Sequence, residues 1–235
     1  YNLIVNNDYT LASTIDVNGN LTINTGDSID AQTFNIEAAR NWTNNGTFTA
    51  GSGTVIFNTT NNSIISGSTT FNNFTCTTGG KTIYFTNGTT QTVDGTLTLN
   101  GAAGNLIRLL STSPGNQWNI DPNSNTTVTY LYVQDSNNSS INRDITANTS
   151  TDAGGNDLTT GGVWIFPAGS LTWDGSSSTS WDDEDNWDLG YVPGTGDDAT
   201  IPAGITFDPV LTSAKTVENL TITTGDLDIA SYNLT

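Results

Sequence analysis

Between Ile15 and Ile23 apolar and polar positions alternate. Ile15, Val17, Gly19, Leu21 and Ile23 fall on one face, and Asp16, Asn18, Asn20 and Thr22 on the other. A period of two over this length predicts a half-buried β-strand. The turn Thr25-Gly26-Asp27 closes it and Phe34-Asn35-Ile36 opens the next run. Further short apolar runs occupy residues 55–57, 64–65, 74–76, 83–85, 97–99, 107–110, 128–133 and 163–166. Turn formers separate them: Asn44-Asn45-Gly46, Gly51-Ser52-Gly53, Gly79-Gly80, Asn87-Gly88 and Ser113-Pro114-Gly115. No stretch shows apolar residues at helical spacing with capping residues at its ends, so crossover helices are unavailable and a βαβ sheet is excluded. An antiparallel sandwich or barrel and a β-solenoid remain.

Internal repetition separates these two. Residues 20–36, NLTINTGDSIDAQTFNI, return as residues 219–234, NLTITTGDLDIASYNL, with one gap. A weaker echo relates residues 93–100 to residues 17–24. From Asn2 to Asn20 the Asn-Leu pair recurs after 18 residues, and Asn35 follows 15 residues later, spacings that suit successive coils. Coils of like sequence stack like residues on like, which rewards columns of Asn, Thr and aliphatic side chains. The pattern therefore predicts a parallel β-helix over residues 1–166, with antiparallel β-sandwich modules as the alternative. Composition shifts after Pro167: a Trp/Asp-rich linking unit is expected over 167–204 and the start of a further β-helix repeat over 205–235.

Composition agrees with many short strands. Thr and Asn make up nearly a third of the 235 residues, whereas charged residues account for 12 %. Thr suits a pleated strand, and Asn tolerates left-handed turns and stacks in ladders. The net charge is −18, with Arg40, Lys81, Arg108, Arg143 and Lys215 the only basic residues. Such a balance argues against nucleic acid as a partner and against anionic membrane surfaces. No apolar run approaches the length of a transmembrane helix, so no membrane insertion is expected. The single Cys76 lies in a strand-like run and reads as an inert buried thiol. No Met occurs, even at position 1, so the chain is expected to be a processed product or a segment of something longer.

The segment W-D-G…W…N-W…V-P-G…D-D-A-T-I (173–201) resembles a unit that recurs in large bacterial surface proteins of the autotransporter and filamentous-haemagglutinin type. Residues 41–57, 103–118 and 128–136 share the resemblance, so it covers most of the chain. It implies an all-β, right-handed parallel β-helix in a long exported repetitive protein, at the cell surface or outside the cell. The expected role is a structural module of a surface fibre, associating end to end. A surface adhesin or glycan-binding module is the alternative, and a polysaccharide-active enzyme the third reading.

Candidate chemistry is sparse. The chain has no His, which excludes Ser-His-Asp and Cys-His catalysis and His-metal sites. Of the acidic residues, eleven fall in 1–166 and twelve in the rest, eight of these between Asp174 and Asp198. Asp182, Asp183, Asp185 and Asp188 offer hard oxygen ligands for calcium, although no EF-hand spacing accompanies them, and a solvated acidic loop is the simpler reading. Trp173, Trp181 and Trp187 are candidates for a glycan platform, set against packing aromatics. Neither end carries a polar cap, and a bare solenoid end offers unpaired strand edges. Tyr1, Asn2 and Leu3 at one end and Tyr232, Asn233 and Leu234 at the other are the expected self-association residues, joining further copies covalently or by head-to-tail stacking.

Overall fold

The structure, a computed structural model, describes residues 1–159 and 161–235. The chain is an all-β parallel β-solenoid of about 10 turns. Every pairing between its strands is parallel, which removes the antiparallel sandwich.

Most coils contribute one short strand to each of three faces. The first face is an eight-stranded sheet running from Leu3–Val5 through Leu21–Ile23, Trp42–Asn44, Ser63–Ser66, Thr82–Phe85, Ile107–Ser111 and Leu131–Val133 to Thr151–Asp152. Along it Leu3 lies opposite Leu21, Leu21 opposite Trp42, and Ile83 opposite Leu109. The second face starts with Asp8–Thr10, Ser28–Asp30 and Thr47–Thr49, and continues from Thr69–Phe71 to Ser136–Asn138. The third starts at Ile15–Val17 and ends at Trp164–Ile165. The spacing from Asn2 to Asn20 is thus one coil. Asn35 belongs to the same coil as Asn20, just before the third-face strand Ile36–Ala38. The echo at residues 93–100 also marks a corner rather than a face: Leu21–Ile23 lies on the first face and Leu97–Leu99 on the third.

Alternation along each strand fills a narrow interior. Leu21 and Ile23 point in and Thr22 points out; Ile107, Leu109 and Ser111 point in. Aromatic rings bridge the coils inside: Trp42 meets Phe71 of the next coil at 5.5 Å, and Phe85 stacks on Trp118 at 3.8 Å with the planes 8° apart. Cys76 is fully buried in this core, where burial pushes its thiol pKa up.

At the corners, polar side chains stand in for strand hydrogen bonds. Asn20 N–H donates to Asn2 Oδ1 (2.9 Å), Asn41 N–H to Asn20 Oδ1 (3.3 Å), and Ile64 N–H to Asn41 Oδ1 (2.9 Å). A second column precedes the third face, where Asn35 N–H donates to Thr14 Oγ1 (3.3 Å) and Thr54 N–H to Asn35 Oδ1 (2.9 Å). Each bond runs from a backbone N–H to the side chain of the preceding coil, so both columns have a direction. Gly51 turns a tight corner at φ +57°, and a Cβ there would lie 1.7 Å from the Gln32 carbonyl oxygen.

Lys81 is buried, with Nζ donating to the carbonyls of Thr59 (3.0 Å) and Asn61 (2.7 Å) and lying 5.6 Å from the centre of the Phe57 ring. Burial pushes its pKa down to about 8. The folded chain therefore gives up this proton more readily than the unfolded chain, whose lysines titrate near ~10.4.

Two predictions follow from this packing. Trp118→Ala should cost about 3–5 kcal/mol, whereas Asn41→Ala, which removes one corner acceptor, should cost about 1 kcal/mol; thermal unfolding followed by far-UV circular dichroism ranks the two. Raising the pH from about 8 toward ~10.4 should stabilise the wild type relative to Lys81→Met, because the increment belongs to the lysine alone. Parallel pH profiles of the two melting temperatures would contradict that assignment.

Candidate functional site

After Phe166 the interior changes hands. Trp164 and Phe166 belong to the core of the first stack, and a second core gathers Leu171, Trp173, Trp181, Trp187, Tyr191, Ile201 and Leu211. Around it Ser170–Thr172, Asp198–Ile201 and Asn219–Ile222 form a separate parallel sheet. Bridges Ser180–Val210–Asp228 and Lys215–Leu234 mark the other sides of these coils. Residues 167–204 and 205–235 therefore share one short stack, with no structural break at residue 204.

The three tryptophans are its centre. Trp173 and Trp181 are 0 % exposed and Trp187 2 %. Trp187 sits edge-on to both neighbours at 5.2 and 4.8 Å. Trp173 Nε1–H donates to the Phe207 carbonyl (2.7 Å) and Trp187 Nε1–H to that of Trp181 (3.0 Å). No ring face is left for a sugar; the tryptophans are packing residues.

The four aspartates do not converge. Asp182 accepts from Lys215 Nζ and from Thr212 Oγ1. Asp183 caps the short 3-10 helix Glu184–Asn186. Burial opposes its ionisation, but the hydroxyls of Ser178 and Ser177 and the Asp185 N–H outweigh that and hold its pKa below the usual value. Asp188 accepts from Thr172 N–H (2.9 Å), and Asp185 lies against Gly104 of the first stack. Among the described residues no cluster of three or more acidic, Cys or His side chains is placed to hold a metal ion. The acidic loop is neither a calcium cage nor merely solvated: its carboxylates are caps and braces. Asp197 works similarly in the V-P-G turn, accepting from Gly169 N–H (2.6 Å), Gly194 N–H (2.9 Å) and the Tyr191 hydroxyl (3.3 Å). Burial pushes the pKa of both Asp197 and Tyr191 up.

Contacts that sequence reasoning missed join the two stacks. Arg108 pairs with Glu184 at 2.6 Å, and Glu184 Oε1 also accepts from Leu106 N–H. Arg108 lies 4.6 Å from the centre of the Tyr132 ring, and Thr151 Oγ1 donates to the Val192 carbonyl (3.1 Å). Beside these bonds runs a polar cleft of about 480 Å³, bordered by Arg108, Tyr132, Asp152, Asp182, Glu184 and Lys215. Burial raises the Tyr132 pKa, the Arg108 charge opposing and the Asp182 and Glu184 charges adding to it. Arg108 and Glu184 are 76 residues apart, and no local pattern announces their meeting.

The ends are different in kind. At the first coil a groove of about 510 Å³, more apolar than the cleft, opens over Leu3, Val5, Leu11, Ile15, Val17 and Ile29. Tyr1, Ile4 and Tyr9 are exposed beside it. At the other end the repeated sequence forms a coil that shares one turn with the second coil. Gln32 and Ala230 both take positive φ, at 54° and 48°. Asp30 Oδ1 accepts from Gln32 N–H (2.9 Å) as Asp228 Oδ1 does from Ala230 N–H (2.7 Å). Phe34 N–H reaches the Ala31 carbonyl as Tyr232 N–H reaches that of Ile229, both at 2.9 Å. The coils differ at the first turn, where Gly26 takes φ +89° and Gly225 no positive φ, and in burial. Ile23 is 0 % and Ala31 1 % exposed, whereas their counterparts Ile222 and Ile229 are 43 % and 46 % exposed. Tyr1, Asn2 and Leu3 thus lie on the first coil and Tyr232, Asn233 and Leu234 on the last.

Compared with protein-family models, curated proteins and solved structures, the chain finds no match.

Trp181→Ala should strip hydrogen-exchange protection from residues 170–235 while leaving 1–150 protected, because it empties the centre of the second core. A surface sugar-binding tryptophan would instead leave stability within about 0.5 kcal/mol of wild type.

Proposed function

We propose that the chain is a structural module of a long, repetitive extracellular fibre, lengthened by stacking the open coil face of one copy on that of the next. The observation that carries this reading is the internal repeat: residues 219–234 repeat the second coil in sequence and in the turn at Ala230, and Ile222 and Ile229 are exposed where Ile23 and Ala31 are buried. Covering such a face with another coil recovers apolar burial at roughly 25 cal/mol per Å² and pairs the strand edges. The partner proposed is a further copy of the same chain. A heterologous contact of this kind does not use itself up, so it builds filaments unless its rotation closes a ring. The resemblance to bacterial surface proteins of autotransporter and filamentous-haemagglutinin type supports a place at or outside the cell surface, and the low Lys content is in keeping with it.

A second reading rests on the cleft between the stacks. Its polar rim and the Tyr132 ring suit a short glycan, as in an adhesin, and glycan-array binding that disappears in Tyr132→Ala would favour it over a purely structural role.

Charge sets the conditions for the structural reading. Asp8 and Asp16 lie on the first coil and Asp226 and Asp228 on the last, in a chain of net charge −18. Copies repel at long range, and screening should help them meet. Sedimentation velocity on the wild type is expected to show larger species as concentration rises over about a hundredfold range, more so at high salt. Ile222→Asp, at an exposed position of the last coil, should hold the chain as a monomer under the same conditions. A wild type that stays monomeric throughout overturns the stacking role.

A further inference from the structure

The third face carries an outward pattern that the core does not require. Its strand registers place Asp16 beside Glu37, Glu37 beside Ile56, Ile56 beside Thr75 and Thr75 beside Thr98. The bridge between Asn100 and Thr129 carries the register on to Thr127, and Thr127 lies beside Thr146. Four successive coils therefore present Thr75, Thr98, Thr127 and Thr146 in one outward column. Two residues on, Thr77, Asn100, Thr129 and Asn148 form a second column beside it. All eight side chains are exposed or half-buried.

Three properties narrow what this patch can meet. It is uncharged: no acidic or basic residue stands in the strands Asn73–Cys76, Leu97–Leu99, Thr126–Thr129 and Ile145–Asn148, although the chain carries a net charge of −18. It presents no aromatic ring, because Phe74 points into the core. Its first column keeps free hydroxyls. Among the described residues no hydrogen bond reaches the side chains of Thr75, Thr98, Thr127 or Thr146. In the second column Thr129 Oγ1 donates to Asn100 Oδ1 (3.3 Å) and braces two coils. An ionic polymer or mineral finds no counter-charge here, and a crystalline polysaccharide finds no ring to stack on. Repetition is the patch's distinguishing feature. Neighbouring strands lie about 4.8 Å apart and alternate residues along a strand about 6.6 Å, so hydroxyls and methyls recur on a two-dimensional net. Threonine is stiff at χ1, so the net is preorganised and loses little entropy on contact.

We propose that this face binds the ordered water at the surface of ice. Water molecules on a face of ice recur on the same two scales. Each gives or takes a hydrogen bond with a threonine hydroxyl, while the methyl groups sit in the hollows between them. Single contacts of this kind are weak, but a rigid net makes them together, as linked sites do in multivalent binding. The four coils lie inside the first stack, so the role stands whether or not copies stack end to end.

Ice growth in the presence of the whole chain reads the proposal. A seed crystal should show a gap between its melting and freezing points, and slow freezing should draw the chain into the ice. Thr98→Tyr and Thr127→Tyr set a bulky ring in the middle of the net, on strands that accept aromatic residues. They are made separately, so that either decides if the other fails to fold, and each should abolish both effects while unfolding at the wild-type temperature. Thr70→Tyr, at an exposed outward position of the second face, should keep both effects. A wild type that lets seed crystals grow freely and stays in the liquid overturns the proposal. Activity that survives both third-face variants overturns it too. Binding to crystalline cellulose or chitin with no effect on ice overturns it in favour of a glycan lattice.

Discussion

Every coil in this chain depends on having a coil on either side. Strands of two to five residues cannot satisfy their own backbone groups, and in a solenoid each strand face finds partners only above and below. The interior is equally narrow, so that Ile23 or Trp42 is covered only because the neighbouring coils close over it. Stability is therefore close to a sum of nearest-neighbour joints, and a coil with one neighbour missing keeps its conformation but loses part of its burial. The coil at residues 219–234 repeats the second coil in sequence, and its Ile222 and Ile229 are exposed where Ile23 and Ala31 are buried.

Polar residues do two jobs within that constraint. Asn, Thr and Asp at the corners replace backbone acceptors and pass hydrogen bonds from coil to coil, which gives the stack its direction and ties register to sequence. In the second stack the acidic residues act over shorter distances: Asp183 caps, Asp197 clamps a turn, and Asp182 and Glu184 hold Lys215 and Arg108. The acidity of this segment is largely spent on holding a small Trp-centred core together and fastening it to the longer stack.

Much of this was legible in the sequence. Alternation over Ile15 to Ile23 and the return of residues 20–36 at 219–234 led to parallel coils, because a period of two and a period of one coil are both written in local order. Composition changes after Phe166, and the second core is centred beyond it while also taking in Leu106. Three things were not legible. The tryptophans read as a possible platform because aromatic spacing does not tell which side of a strand a ring occupies once a second core exists to bury it. The run of aspartates read as a metal candidate because adjacency in sequence says nothing of direction, and the side chains diverge toward Lys215, Ser178, Thr172 and Gly104. The cleft rests on Arg108 meeting Glu184, a long-range contact set by how one stack leans on the other.

The proposed end-to-end stacking requires that the first and last coils can take up a neighbouring coil. Residue-resolved hydrogen exchange measured at rising protein concentration addresses it most directly. Amides of the first and last coils, including Asn2, Thr14, Leu220 and Leu234, should exchange fast when dilute and gain protection together as copies associate, while those of the middle coils from Trp42 to Cys76 stay protected throughout. Terminal amides whose exchange does not change with concentration, or a gain in protection confined to the cleft between the stacks, would contradict it.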